Sequence, residues 1–212
     1  LNHNSKVGMY LYNSPEYVET NFAAMKISGV PININYRYLD EELHYLLENA
    51  DVEALVFHSS LGDRVARVCD RLPMLKAMIC VDDGLAEDGS MGPANGIAYD
   101  TFLAQASGTA RTQPQGDEIY MLYTGGTTGM PKGVMYPLDG FTEFFMRGFP
   151  PMIGLDPFET ADGFAPAARQ MIDANSAVVA MPGPPLMHGT GCWLGLMFPH
   201  MLGGTCVLLE NR

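Results

Sequence analysis

Glycine and threonine crowd together over Thr124-Gly125-Gly126-Thr127-Thr128-Gly129, and Met130-Pro131-Lys132-Gly133 follows. Three glycines and three threonines in six positions, with a lysine close behind, offer bare backbone N–H groups, hydroxyl donors and one cation to a single spot. A polyphosphate needs such a set: many short donors and no Cβ in the way. An ordinary turn would be served by Gly, Asn, Asp or Pro alone. The plainer alternative is a flexible surface connection. The apolar run Ile119 to Tyr123 leads in as a strand, so this chemistry is expected on a strand followed by a loop.

A second segment, Pro184-Pro185-Leu186-Met187-His188-Gly189-Thr190-Gly191-Cys192-Trp193, sets a histidine between prolines and glycines. His188 is expected at the start of a helix running to Met201, where the helix N-terminus favours a carboxylate or phosphate. A capping histidine and a core tryptophan are the structural alternatives. His188 and Cys192 are four apart and could share a helix face, but no third or fourth metal ligand accompanies them, so no metal site is expected.

The first segment is not a Walker A loop, because Gly133 rather than a hydroxyl residue follows Lys132, and it lacks the G-x-G-x-x-G spacing of a dinucleotide fold. It resembles the phosphate-loop signature of the adenylate-forming superfamily, which includes acyl-CoA synthetases, aryl-CoA ligases, luciferases and peptide-synthetase adenylation domains. The family pattern reads roughly Thr-Ser-Gly-Ser/Thr-Thr-Gly-x-Pro-Lys-Gly. The match runs from Thr124 to Gly133 with one departure, Gly125 in the place of serine, which removes one hydroxyl contact. The second segment is similar to the family's Pro-Leu-x-His-x-x-Gly motif. Residues 27–38, with Asp40-Glu41-Glu42-Leu43 after them, look like the strand-turn-helix near the front of acyl-CoA synthetases.

The resemblance implies an ATP-dependent acyl-CoA synthetase acting on a fatty or other apolar carboxylic acid. Thr124, Gly125, Gly126, Thr127, Thr128, Gly129 and Lys132 would hold the nucleotide phosphates, with Lys132 and His188 as the catalytic pair. Met187, His188, Gly189 and Trp193 would line the substrate pocket. Coenzyme A would be co-substrate, and Mg2+ would be held mainly by residues outside this chain. The family's ribose-binding Thr-Gly-Asp, its hinge and its C-terminal domain with a catalytic lysine are not found in the sequence. The chain therefore reads as the front portion of such an enzyme, inactive by itself. Gly140-Phe141-Thr142-Glu143 resembles the family's Tyr-Gly-x-Thr-Glu motif but lacks the tyrosine and lies too early, so Thr142 and Glu143 read as ordinary helix residues. Two other classes stay open: a non-catalytic nucleotide- or acyl-binding module, and an adenylating enzyme that hands its product to a carrier protein.

The elements that must position these residues alternate. Short strands are expected at 7–12, 30–35, 54–57 and 77–81. Helices are expected from Pro15 to about Ser28, at 40–49 with Asp40 as cap, and at 61–72. Val18, Phe22, Met25 and Ala24 should face inward on the first of them. This alternation implies an α/β fold of largely parallel sheets with flanking helices, part of the large N-terminal domain of an acyl-CoA synthetase. The organisation reads as a first α/β unit over 1–106, a polar linker over 107–117, and a phosphate-loop and acyl-pocket unit over 118–212. Further helices are expected near 99–105, 141–149 and 166–174, and strands at 177–181 and 205–209.

The 212 residues are 47% hydrophobic, enough for a sizeable core, and carry a formal net charge of −12. That charge argues against nucleic acid as a partner. Four cysteines without C-x-x-C spacing read as reduced residues of a cytoplasmic protein. No apolar run approaches the ~20 residues of a membrane helix. The partners are then a small-molecule acid, ATP and coenzyme A; a homo-oligomer is compatible with this reading. Fifteen methionines suit either gap-filling core or a pliable acyl pocket.

Overall fold

In the computed structural model, the structure describes residues 1–86, 92–108, 112–126 and 129–209. Contacts divide the chain into two units, Leu1–Tyr12 with Glu16–Met135, and Asn13–Pro15 with Tyr136–Arg212.

The first unit is built on a five-stranded parallel sheet of order β2-β1-β3-β4-β5, with β1 (Lys6–Tyr10), β2 (Val30–Asn33), β3 (Val52–His58), β4 (Ala77–Val81) and β5 (Ile97–Ala98). Helices α1 (Pro15–Lys26), α2 (Asp40–Asn49) and α3 (Gly62–Val68) form crossovers between its strands, and α4 (Tyr99–Gln105) follows β5. β3 is almost wholly buried because both of its faces are covered. Leu55 and Phe57 pack with Leu43, Leu46 and Leu47 of α2 and Val65 and Val68 of α3. The alternate residues Ala54 and Val56 join Val7 and Ile79 in an apolar cavity of about 510 Å³ whose other wall is α1 and α4.

Two local expectations are corrected. The fully buried positions of α1 are Tyr17, Thr20, Asn21 and Ala24, so only Ala24 of the expected inward set is fully buried. Val18, Phe22 and Met25 sit half-buried at its margins. The stripe still repeats at three and four residues, but it is turned by one position. On α2 the capping position is Leu39, whose N–H donates to Glu42 Oε2 at 3.1 Å. Asp40 instead pairs with Arg67 at 2.6 Å, and that bond holds its carboxyl below the usual range.

The expected loop at 124–133 is largely strand. β6 (Ile119–Gly126) and β7 (Gly129–Pro137) form a two-stranded sheet of their own, with Thr127 and Thr128 outside the described residues. By contacts this pair belongs to the first unit as far as Met135. The segment before it is also tied there: Thr112 N–H donates to Lys26 O at 3.1 Å, and His3 Nε2 meets Asp117 Oδ1 at 2.7 Å. Glu118 accepts from the N–H groups of Gln115 and Gly116 at 2.6 and 3.0 Å, which lowers its pKa. His3, Asp117 and Glu118 are the one described group of His, Asp and Glu close enough to share a cation, and these bonds already engage them.

The second unit contains α5 (Leu138–Gly148), α6 (Phe164–Asp173), α7 (Gly189–Cys192), α8 (Phe198–Met201) and a short parallel pair, β8 (Val179–Ala180) and β9 (Thr205–Cys206). The helix expected over 188–201 is present, but its middle, Trp193–Met197, is wound as a π-helix between α7 and α8. Phe141, Phe145 and Phe149 lie one turn apart, and Phe149 stacks on Phe198 at 5.2 Å, giving this unit its own aromatic core. Among the described residues, no helix is long and apolar enough to cross a membrane.

Candidate functional site

The approach to the glycine–threonine segment is anchored at Tyr123. Asn33, the last residue of β2, donates from Nδ2 to the Tyr123 carbonyl at 2.9 Å and accepts the Tyr123 N–H on Oδ1 at 2.7 Å. One buried side-chain amide thus replaces a ladder partner for β6. The Tyr123 hydroxyl donates to Asn49 Oδ1, at the end of α2, at 2.7 Å. Burial pushes that hydroxyl up to about 12, so it stays a neutral donor throughout the physiological range. Gly133 closes the same cluster: a Cβ there would lie 2.8 Å from the Tyr123 ring and 3.0 Å from Met121 Sδ.

Beyond this anchor the segment emerges. Thr124, Gly125, Gly129 and Lys132 are exposed, and a Cβ built on Gly125 or Gly129 meets no atom within 4 Å. Gly126 ends β6. The described part therefore presents open backbone, one hydroxyl and one cation. Residues 124–134 contain no Asp or Glu, so they give a divalent cation no carboxylate ligand.

In the second unit the 184–193 segment is held tightly. Leu186 N–H donates to Asn13 Oδ1 at 2.8 Å, and Leu186 and Met187 are buried. His188 N–H donates to Pro185 O at 3.0 Å, closing a turn that ends with His188 exposed in the cap position of α7. Cys192 N–H then returns to His188 O at 2.9 Å as the first turn of the helix. Gly191 is required by this packing, since a Cβ would sit 2.3 Å from the Pro185 carbonyl oxygen. His188 is exposed while Cys192 is buried.

Trp193 opens the π-helical stretch and lines a cavity of about 390 Å³ with Tyr136, Pro137, Gly140, Phe141 and Phe144. π-helical turns that interrupt α-helices are frequent at functional sites. Tyr136, Phe141 and Phe144 meet the indole edge-on, with ring centroids at 5.8, 5.4 and 6.2 Å. Of the four residues expected to line a substrate pocket, Trp193 lines this cavity. Met187 lies in the core, and Gly189 opens α7 beside His188. The sequence reading missed Tyr136, Gly140, Phe141 and Phe144. The i, i+3 spacing of the last two was visible, but their partner lies about fifty residues on. Thr142 and Glu143 behave as ordinary helix residues: Thr142 donates to Leu138 O at 2.7 Å, and Glu143 pairs with Arg147 at 2.9 Å.

A sequence model of the family "AMP-binding enzyme" matches residues 1–212, and the chain belongs to that family. It is 36% identical over 206 residues to a 3-oxocholest-4-en-26-oate–CoA ligase of Rhodococcus rhodochrous, covering 97% of this chain and 36% of the relative. It is 34% identical over 198 residues to the medium-chain acyl-CoA ligase Mig of Mycobacterium avium, covering 88% and 33%. The fold is shared with an anthranilate CoA ligase, AuaEII, solved with anthranoyl-AMP (TM-score 0.75, 19% identity, 100% of this chain and 36% of that one). The chain thus spans about a third of the length of the curated relatives it matches.

Proposed function

We propose that this chain is the front portion of an AMP-forming acid–thiol ligase that activates an apolar carboxylic acid as its acyl-adenylate and transfers the acyl group to coenzyme A. The observation that carries this reading is the family match along the whole chain, with relatives named as ligases of medium- and long-chain fatty acids and of 3-oxocholest-4-en-26-oate. In the reaction proposed, the carboxylate attacks the α-phosphorus of ATP and pyrophosphate departs. The coenzyme A sulfur then attacks the acyl carbon and releases AMP.

Thr124, Thr127, Thr128, the backbone of Gly125, Gly126 and Gly129, and Lys132 serve the phosphates in this reading. Oriented donors and a cation stabilise charge on transferring and departing phosphate oxygens. The exposure of Thr124 and Lys132 supports it, because both can reach a ligand without rearranging the fold. His188 attends the acid carboxylate, with Met187 and Gly189 setting its backbone and Trp193 walling the hydrocarbon side. Mg2+ accompanies ATP and takes its carboxylate ligands outside residues 124–134. We place the enzyme in the cytoplasm, a compartment compatible with four cysteines that form no disulfide with one another. Its domain organisation is proposed as one α/β unit over 1–106, a connection over 107–117 and a ligand-binding unit over 118–212.

The test is ATP–pyrophosphate exchange by the full-length protein with a series of apolar acids, followed by thioester formation with coenzyme A. Lys132→Ala should lower adenylation about tenfold to a hundredfold, matching ~1.5–3 kcal/mol for a hydrogen bond to a charged group, with acid affinity nearly unchanged. Unchanged exchange with collapsed acid affinity would contradict the role of Lys132. Absence of acid-dependent exchange would overturn the enzyme reading, and transfer to a carrier-protein thiol alone would overturn the choice of acceptor.

A further inference from the structure

We propose that Gly140 sets how large an apolar tail this enzyme accepts, by leaving open the exposed rim of the aromatic cavity walled by Tyr136, Phe141, Phe144 and Trp193. The proposal rests on the acyl-CoA synthetase reading and assigns this cavity to the hydrocarbon end of the acid.

Gly140 lies in the first turn of α5, where glycine is unfavourable relative to alanine. Neither usual reason for a helical glycine applies. Its backbone is not left-handed, and a Cβ built on it meets nothing within 4 Å. What the missing side chain leaves is space, and the space is part of the cavity that Gly140 lines. Of its neighbours, the Asp139 carboxylate turns back to accept the Gly140 N–H at 2.7 Å, and Phe141 is already a wall of the cavity, buried against Trp193. A larger residue at 140 would therefore meet no clash at its Cβ and would narrow the cavity at its rim.

The occupant follows from the walls. The six lining residues bring no charged side chain, and four of them present aromatic rings. Trp193 is the common neighbour of three of those rings, each perpendicular or nearly so to it, which fixes the shape of the cavity in place of a collapsible aliphatic lining. A pocket of this kind gains from an uncharged hydrocarbon and rejects a second carboxylate or an ammonium, which would be desolvated without a partner. About 390 Å³ holds on the order of a dozen heavy atoms, taking ~30 Å³ for a water-sized group. That is a chain of medium length or a compact ring system. Phe144, half-exposed at the side of the cavity, is the wall able to yield to larger tails.

The experiment uses the full-length enzyme and a homologous series of straight-chain acids, with kcat/KM for adenylation measured for each in wild type, Gly140→Ala and Gly140→Leu. The expected result is that Gly140→Leu lowers the ratio of kcat/KM for the longer to the shorter acids about tenfold or more, since a methylene's worth of pocket space discriminates by about tenfold to two-hundredfold. Gly140→Ala should shift the ratio in the same direction by less. The loss should appear mainly in the KM for the acid, with the KM for ATP unmoved. An unchanged ratio in Gly140→Leu, or a uniform loss across all acids, would overturn the proposal. If wild type itself adenylates no acid, the enzyme reading fails instead, and the two failures are thereby told apart.

Discussion

A Cβ built on Gly125 or Gly129 meets no atom within 4 Å, whereas one built on Gly191 would press to 2.3 Å of the Pro185 carbonyl oxygen. The two glycine-rich segments look alike in composition and are held in opposite ways. In the first unit the polypeptide is gripped below the segment, at Tyr123, and then released. In the second it is gripped through the segment itself, so that the turn leading to His188 and the start of α7 cannot be separated. Glycine in a strand interior weakens the strand and is tolerated where something must approach the backbone closely. Glycine at a backbone-to-backbone contact is a packing requirement. Identical residues thus carry a surface kept open in one place and a rigid joint in the other.

The sharpest way to break this comparison is Gly191→Ala. The added carbon meets backbone, which cannot step aside as a flexible side chain would, and the same Pro185 oxygen already accepts from His188 N–H. We expect a loss of about 2–4 kcal/mol, at or beyond the upper range of overpacking costs. It would be seen as a lowered Tm in full-length protein without any ligand. An unchanged Tm would mean that the joint is soft and the contrast false.

Asn33→Ala tests the grip below the first segment. It strips partners from both the N–H and the carbonyl of Tyr123, two buried backbone groups. Leaving one such group unsatisfied costs about 1–3 kcal/mol, and water entering the gap recovers part of it. We expect about 2 kcal/mol of destabilisation with faster amide exchange over 119–126. If exchange accelerates elsewhere in the first sheet but not in β6, Asn33 serves the sheet and not the segment.

The alternation of strands and helices in the first unit was legible because its punctuation is local: Pro15 opens α1, Gly29 follows its end, and the acidic Asp40-Glu41-Glu42 begins α2. The rotation of α1 was not legible, because its buried stripe contains Thr20 and Asn21, and buried polar residues leave no apolar signal. The continuation of β6 through Gly126 was missed for a related reason. Glycines and threonines read as loop; the strand they pair with is itself glycine-rich β7, and the anchor that precedes them, Asn33 on Tyr123, lies ninety residues away. In the candidate site, the motifs drew attention to Lys132 and His188, and both are exposed. The aromatic walls around Trp193 did not, because a cavity is made by residues that meet only after folding. The π-helical turn at Trp193–Met197 left no signal in the periodicity at all.

The smallest expected effect is the most discriminating. Gly125 departs from the family pattern, which has serine there, and the space above its backbone is open. Gly125→Ser adds a hydroxyl where nothing in the fold resists it, so folding stability should move by less than about 0.5 kcal/mol, as for surface changes generally. If that open space faces the phosphates, the hydroxyl gains one hydrogen bond, worth about 0.5–1.5 kcal/mol. The KM for ATP should then fall by about twofold to tenfold, with Tm unmoved. A lowered Tm would show that the glycine is structural after all, and would make the first segment a relative of the second. A raised KM for ATP at unchanged Tm would show that the approach is too close for any side chain, and that phosphate contact at position 125 is made by backbone alone.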